Sequence, residues 1–406
     1  MDQLTERASH VLRTRFGHAD FRDGQADVVR AVTSGRDVLA VLPTGAGKSI
    51  CYQIPALLAP GPSLIISPLI ALIQDQVSAL QARGIRAASV TSASSNSDRR
   101  RAEEYLTGRG PSLVYAAPER LASSSFLGLA RRSRLSLVVV DEAHCVSEWG
   151  HDFRPDYLGI GKFASLVGRP PVAAFTATAT PATRLEIVQR LGLYRPAQIL
   201  RSVDRPGLFW EVVQSQQETC AFEHVSRAVR YRGDGAALVY VQTRALTTAV
   251  AAALRRTGQQ AEAYHAGLSA VRRAGVQARF LSAPRGVVVA TCAFGMGIDH
   301  PSVRLVAHLG VPGALETYVQ EAGRAGRDGR LARCLLVTGS RDLVLHRKRI
   351  RELQRSSRHA ARSRLAAMLA YVREPYCRRA AISRWFGEPV PSCGGCDRCD
   401  AGGCRQ

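Results

Sequence analysis

Lysine is nearly missing from this chain of 406 residues: Lys48, Lys162 and Lys348 are the only three. Also missing is any apolar run approaching the ~18 residues that a membrane-spanning helix needs, so no membrane partner is expected. The opening residues, MDQLTERASHVLRTRF, place charges where a secretory leader has its apolar core, and we expect a cytoplasmic chain. No short-period repeat or low-complexity tract is evident, which argues against a solenoid. Hydrophobic residues make up 46% and charged residues 22%, which excludes wholesale disorder. Ten cysteines without a leader argue against a disulfide framework. Six are scattered (Cys51, Cys145, Cys220, Cys292, Cys334 and Cys377) and read as small core residues, whereas Cys393, Cys396, Cys399 and Cys404 crowd together.

Positive charge is abundant despite the missing lysine. Arg supplies nearly all of the 55 Lys+Arg, set against 33 Asp+Glu, for a formal net charge of +22. Such a balance implies a polyanionic partner, most often nucleic acid; a GC-rich coding bias would also favour Arg over Lys. Short β-branched runs alternate with helical patterns from about residue 36 to 340. They begin at Asp37, Ser63, Ser112, Leu135 and Val172, and then at Ala237, Ala261, Gly286, Arg304 and Arg333. Continuous apolar strands separated by helices indicate parallel sheets covered on both faces. We therefore expect an α/β fold with two tandem lobes, residues 1–203 and 204–339, joined through an aperiodic stretch around 200–217. Residues 341–373 carry ten Lys or Arg against two acidic residues, with apolar positions at helical spacing, and residues 340–406 read as a small helical tail.

Pro43-TGAGKS-Ser49 follows the first strand run and opens a helical one, the context of a phosphate-binding loop. Backbone N–H groups around Thr44, Gly45, Ala46 and Gly47 could wrap a β-phosphate, with Lys48 on the β/γ-oxygens and Ser49 on Mg²⁺. The strict pattern asks for Gly at position 42, where Leu42 stands. In Leu137-VVVDEAH-His144, Asp141 emerges at a strand end, placed to hold Mg²⁺, and Glu142 could polarise the attacking water. The two segments together point to ATP hydrolysis. Just beyond, Trp149, Phe153 and Arg154 could stack bases and contact phosphate, or simply anchor their own loop. Arg324 and Arg327, three apart, would share one face of a helix. The spacing Cys393-x₂-Cys396-x₂-Cys399 suits tetrahedral Zn²⁺ and needs a fourth thiolate, with Cys404 the local candidate.

These segments, with FGHADFRDGQ (residues 16–25), SPLIALIQDQ (67–76), APER (117–120), CVSEWGHDFRPDY (145–157), FTATAT (175–180), YHAGL (264–268), ATCAFGMGID (290–299) and QEAGRAGRDG (320–329), resemble the RecQ family of DEAH-box DNA helicases over nearly the whole chain. The resemblance implies two RecA-like lobes with ATP between them and a zinc-binding tail. It implies that His18, Arg22 and Gln25 hold the nucleotide, His18 standing where the family usually has Tyr. It assigns the arginine finger to Arg327 and coupling of hydrolysis to motion to Arg324, and it makes Cys377 the fourth zinc ligand. It implies ATP, Mg²⁺ and Zn²⁺ as cofactors, and single-stranded, forked or tailed DNA as partner. The implied activity is DNA-dependent 3′→5′ translocation in recombination and repair, at the nucleoid. Many members continue into a winged helix and a further helical domain, so we expect a short form whose duplex unwinding is the open point; a DNA-binding switch driven by ATP is the alternative, and an RNA helicase a third.

Overall fold

The structure, a computed structural model, describes residues 3–150, 152–215, 217–294, 300–339, 342–390 and 393–400. The sequence motif at 290–299 is thus described only to Phe294, and Cys404 lies outside the described residues. The chain divides into two compact units, Met1–Ser202 and Val203–Gln406.

The first unit holds strands β1 (Val38–Val41), β2 (Pro62–Ile66), β3 (Ala87–Val90), β4 (Ser112–Ala116), β5 (Leu137–Val140), β6 (Val172–Thr176) and β7 (Ala197–Leu200). Its helices are α1 (Gln3–Phe16), α2 (Gln25–Thr33), α3 (Lys48–Leu58), α4 (Ile70–Ala82), α5 (Asn96–Thr107), α6 (Ser124–Arg132), α7 (Ile160–Leu166) and α8 (Pro181–Arg190). The sheet order is β3-β4-β2-β5-β6-β1-β7, and its pairings are parallel. Side chains alternate across a strand, so a run such as VLAV feeds two cores. Leu39 and Val41 join Leu64, Val114 and Val138 on one face, while Val38 and Ala40 join Ile65, Tyr115 and Phe175 on the other. Both faces are covered, which is why these strands read as unbroken apolar runs.

The second unit repeats the plan with β8 (Leu208–Gln214), β9 (Ala236–Val241), β10 (Ala261–Tyr264), β11 (Val287–Ala290), β12 (Val303–Leu309) and β13 (Ala332–Thr338), in the order β10-β11-β9-β12-β13-β8. Its helices are α9 (Glu218–Arg230), α10 (Arg244–Arg256), α11 (Ala270–Ser282), α12 (Leu315–Ala322), α13 (Asp342–Glu352), α14 (Arg355–Arg373), α15 (Arg378–Phe386) and the single turn α16 (Asp397–Asp400). The expected joint at 200–217 contains the division between the units, after Ser202, but it is not all linker: its 7 residues Leu208–Gln214 are β8, paired in parallel along its whole length with β13. The tail does not stand apart. Met368, Tyr371, Phe386 and Cys396 are buried in the same cluster as Leu208, Trp210 and Tyr318 of the second sheet. Among the described residues, no helix is long and apolar enough to cross a membrane. Of the scattered cysteines, Cys51, Cys145 and Cys334 are buried as expected, whereas Cys220 and Cys292 are exposed.

Candidate nucleotide site and cysteine centre

Ligand sites in parallel sheets form beyond the carboxyl ends of the strands. Here the order β2-β5-β6-β1 brings four such ends side by side. Ser67 follows β2, Asp141 follows β5, Thr176 ends β6, and the glycine loop follows β1. Leu42 explains its own departure from the strict loop pattern. It is fully buried in the core, and its N–H extends the ladder to the Thr176 carbonyl at 3.0 Å. A larger residue therefore does strand work where the pattern has glycine.

The loop needs its other glycines. Gly45 and Gly47 have φ of 87° and 74°, the left-handed region that disfavours side chains. A Cβ on Gly47 would also lie 2.6 Å from Gln25 Nε2. That amide is engaged with the loop: Nε2 donates to the carbonyls of Ala46 at 2.8 Å and Gly47 at 3.2 Å, while Oε1 accepts from the Arg22 N–H at 2.9 Å. The Arg22 guanidinium donates to the Gly45 carbonyl at 2.6 Å. Arg22 and Gln25 thus clasp the loop in this structure, and pairing of Gln25 with an adenine edge would require it to release two carbonyls. Thr44 lies half-buried between Pro43 and Gly45, and His18 is exposed in the connection between α1 and α2. Lys48 and Ser49 open α3, and the Lys48 ammonium lies 3.5 Å from the Leu42 carbonyl.

The acidic pair is built more tightly. Asp141 is buried, accepting from the Ser67 hydroxyl at 3.2 Å and from the Glu142 N–H at 3.0 Å. Glu142 has φ of 48°, a strained conformation for a residue with a side chain, of the kind that clusters at functional sites. Burial, reinforced by the neighbouring Glu142 charge, pushes the Asp141 carboxyl up to about 7, against the pull of Lys48. Burial holds the His144 imidazole down to about 4, so it stays neutral, with Nδ1 2.9 Å from the Thr176 hydroxyl.

A carboxyl raised from its ordinary value keeps, in the folded state, a proton that the unfolded chain releases. Between about pH 4 and 7 the Asp141 contribution therefore falls as pH rises, and at neutrality it opposes folding. Asp141→Asn in metal-free protein is expected to raise Tm at pH 7.5 by about 2–4 °C or more while ATP turnover is lost. The gain should shrink as pH falls and vanish below about pH 3, where both states hold the proton. A lower Tm for the variant at pH 7.5 would contradict this account.

The loop after DEAH is bonded to the acidic pair. The Tyr157 hydroxyl donates to the Asp141 carbonyl at 3.0 Å, and the Cys145 N–H donates to the Glu142 carbonyl at 2.9 Å. Arg154 donates to the Pro68 carbonyl at 2.8 Å and pairs with Asp152 at 2.9 Å, so its guanidinium is engaged within the loop. Phe153 is half-buried, whereas Trp149 is 44% exposed, an open aromatic face. Gly150 permits that display, because a Cβ there would meet the His144 carbonyl at 2.3 Å. His144, Cys145 and Asp152 bring ligand atoms within 4.8 Å of one another. The Arg154 guanidinium already holds the Asp152 carboxylate, so the trio reads as bonding between DEAH and the aromatic loop. Ser67 and Tyr157 fall in quoted motifs, but their roles as donors to Asp141 and its backbone are seen only in three dimensions.

In the second unit, Arg324 and Arg327 do not share a helix face, which corrects the expectation. α12 stops at Ala322, and both lie in the turn that follows. Gly323, a poor helix former, and Gly326, with its left-handed φ of 58°, break the helix there. Arg324 is 5% exposed, and its charge, with that of the half-buried Arg327, acts on the Tyr240 hydroxyl against the burial that pushes that phenol up; the hydroxyl itself donates to the Phe294 carbonyl at 2.7 Å.

The four thiols of Cys377, Cys393, Cys396 and Cys399 lie within 4.8 Å of one another, so among the described residues Cys377 completes the set. Cys393 and Cys396 are 3.6 Å apart at sulfur, close to the ~3.8 Å edge of a tetrahedron with Zn–S of ~2.3 Å. Four thiolates suit zinc in a closed, structural site. Burial pushes the Cys393 thiol up to about 11, so a bound metal would have to draw its proton off. Cys377 caps α15, its sulfur accepting from the Ala380 N–H at 3.4 Å, and helix N-termini favour thiolates. Arg378, almost fully buried, pairs with Asp397 at 3.0 Å and donates to the Tyr371 carbonyl at 2.6 Å. Asp397 in turn accepts from the Val212 N–H of β8 at 3.0 Å.

Comparison with known proteins follows the same three parts. Residues 22–187 match the DEAD/DEAH box helicase family, 220–329 the helicase conserved C-terminal domain, and 340–400 the RecQ zinc-binding family. The chain is 38% identical to the ATP-dependent DNA helicase RecQ of Pasteurella multocida over 98% of its own length and 62% of that relative. It is 38% identical to the same-named protein of Bacillus subtilis, over 98% of this chain and 67% of that one. The chain thus spans roughly two thirds of the length of these relatives. Among solved structures, the helicase Lhr of Mycobacterium smegmatis bound to ssDNA and AMP-PNP superposes with a TM-score of 0.62 at 19% identity, over 97% of this chain and 63% of that one. The helicase MrfA bound to DNA gives 0.69 at 18% identity, over 96% and 60%. These likenesses establish the two-lobed helicase fold, and with a tail whose cysteines converge as they do here, the chain belongs to the RecQ family of helicases.

Proposed function

We propose that this chain is an ATP-dependent DNA helicase and translocase, moving 3′→5′, whose ATP hydrolysis is stimulated by DNA and serves recombination and repair. The observation that carries the reading is the bonding of the aromatic loop to the acidic pair: Tyr157 and Cys145 hydrogen-bond the backbone of Asp141 and Glu142. A base stacked on Trp149, worth ~1–3 kcal/mol, would bias the loop that carries these bonds. Occupancy by DNA would thus reach the carboxylates that act on ATP.

The residues divide the work. Thr44, Gly45, Ala46 and Gly47 present N–H groups to the phosphates, with Lys48 supplying charge. Arg22 and Gln25 change partners from the loop to the nucleotide, and His18 lies against the base. A hydroxyl and a carboxylate with room for waters form a donor set suited to Mg²⁺, so Ser49 and Asp141 would hold it. The bound ion would neutralise charge on the β- and γ-oxygens. Glu142 orients the attacking water. Arg327 acts on the γ-phosphate as the transition state forms, and Arg324 links that event to motion. Phe153 and Arg154 support the DNA contact made by Trp149. The net charge of +22 favours a polyanionic strand at moderate salt.

Turnover of ATP should rise at least ~10-fold on adding single-stranded DNA, a gain of ~1.4 kcal/mol in barrier. At the same salt, a fork with a 3′ tail should be separated, and one with only a 5′ tail should not. High turnover indifferent to DNA would defeat the coupling. Stimulated turnover without strand separation would leave a translocase or an affinity switch.

A further inference from the structure

The turn at 323–328 carries both candidate catalytic arginines, yet it is not part of a helix or strand. Backbone carbonyls at a helix C-terminus lack intrahelical partners, and a flexible turn would scatter the side chains it bears. Here one guanidinium collects the carbonyls. Arg205 donates through Nη1 to Gly323 at 3.2 Å, and through Nη2 to Ala325 at 3.2 Å and Gly326 at 2.7 Å. Its charge also faces the negative end of the α12 dipole. A planar fork serves three fixed acceptors in a way that a single ammonium cannot.

Arg205 is itself tied down. Its neighbour Asp204 takes the Arg379 guanidinium on both oxygens, at 2.9 and 2.6 Å. Arg379 is 5% exposed and lies in the first turn of α15, two residues after Cys377. On the other side, the Val203 N–H donates to the Glu388 carboxylate at 3.0 Å. Residues 203–205 therefore form a strap, fastened at one end to the cysteine-bearing tail and at the other to the arginine turn.

We propose that Arg205 is a positioning residue for ATP hydrolysis, clamping the turn that aims Arg324 and Arg327, with Asp204–Arg379 anchoring the clamp to the tail. The proposal rests on the reading of Arg327 as the group that meets the phosphate. The Arg205 guanidinium is taken up by the three carbonyls, so it acts through the shape of the turn.

Arg205→Lys keeps the charge and the aliphatic stem and loses the fork. It should lower kcat for DNA-stimulated ATP turnover by ~10- to 100-fold, with KM for ATP within ~3-fold of the parent. Amide hydrogen exchange over 323–329 should quicken at least ~10-fold, with exchange in the first unit unchanged. Arg205→Ala should do more, and Arg205→Ala/Arg327→Ala should be no slower than Arg327→Ala alone, since both remove one function. If Arg205→Ala does not fold, the lysine variant decides. Turnover in Arg205→Lys within ~2-fold of the parent, beside a disabled Arg327→Ala, overturns the positioning role alone, as would unchanged exchange or fully additive losses. Parental turnover in Arg327→Ala sinks the underlying reading and the proposal with it.

Discussion

Arg327→Ala is expected to slow DNA-stimulated ATP turnover by ~10³–10⁵-fold, roughly 4–7 kcal/mol of barrier, while leaving nucleotide affinity nearly unchanged. The reason lies in the division of labour. The groups read as binding ATP, from Gln25 and Gly45 to Lys48 and Asp141, all belong to the first unit, whereas Arg327 belongs to the second. A group that meets charge only as the transition state forms lowers kcat when removed, and leaves ground-state binding alone. Arg327→Lys should recover little, because a point charge does not reproduce a bidentate fork. Turnover within tenfold of the parent would show that the positive charge at the γ-phosphate comes from elsewhere.

The second large effect concerns the tail. Removing its metal should unfold more than the last sixty residues, because Met368, Tyr371 and Phe386 share a core with Trp210 and Tyr318. Structural zinc sites contribute on the order of 10–16 kcal/mol of apparent binding energy at neutral pH, which exceeds the stability of most domains. We expect about one zinc per chain. Cys377→Ser, Cys393→Ser, Cys396→Ser and Cys399→Ser should each lose the metal and the cooperative melting of the second unit, whereas Cys404→Ser should keep both. A chain stripped by chelator that melts at its original temperature would refute the structural role, and zinc lost only in Cys404→Ser would put the ligand set wrong.

Much of this was legible in the sequence, and the omissions share a cause. The strand runs that sequence analysis picked out are the inner strands and β10, while the three that it missed, β3, β7 and β8, are all sheet edges. An edge strand is half-covered, and β7, for instance, buries only Ile199 of its four residues, so it lacks the unbroken apolar signature. The phosphate loop and DEAH segment were readable because their chemistry depends on consecutive residues. The clasp of Gln25 on the loop, the bond from Ser67 to Asp141 and the grip of Arg205 on the arginine turn join segments 21 to 121 residues apart, and such pairings leave no local pattern. The turn at Arg324 was misjudged for the opposite reason: spacing of three suits a helix, but the glycines at 323 and 326 override it.

The pairing of β8 with β13 sets the timetable of synthesis. The first unit has all its strands once residue 200 has left the ribosome. β8 emerges next and finds no neighbour, since its partner begins at Ala332 and its contacts with Gly395 and Asp397 come later still. At ~5–20 residues per second, that strand waits ~10–40 s with an apolar face uncovered. Chaperone holdases would find their client in that interval, and a ribosome stalled between codons 340 and 390 would release a chain with one finished half and one that cannot close.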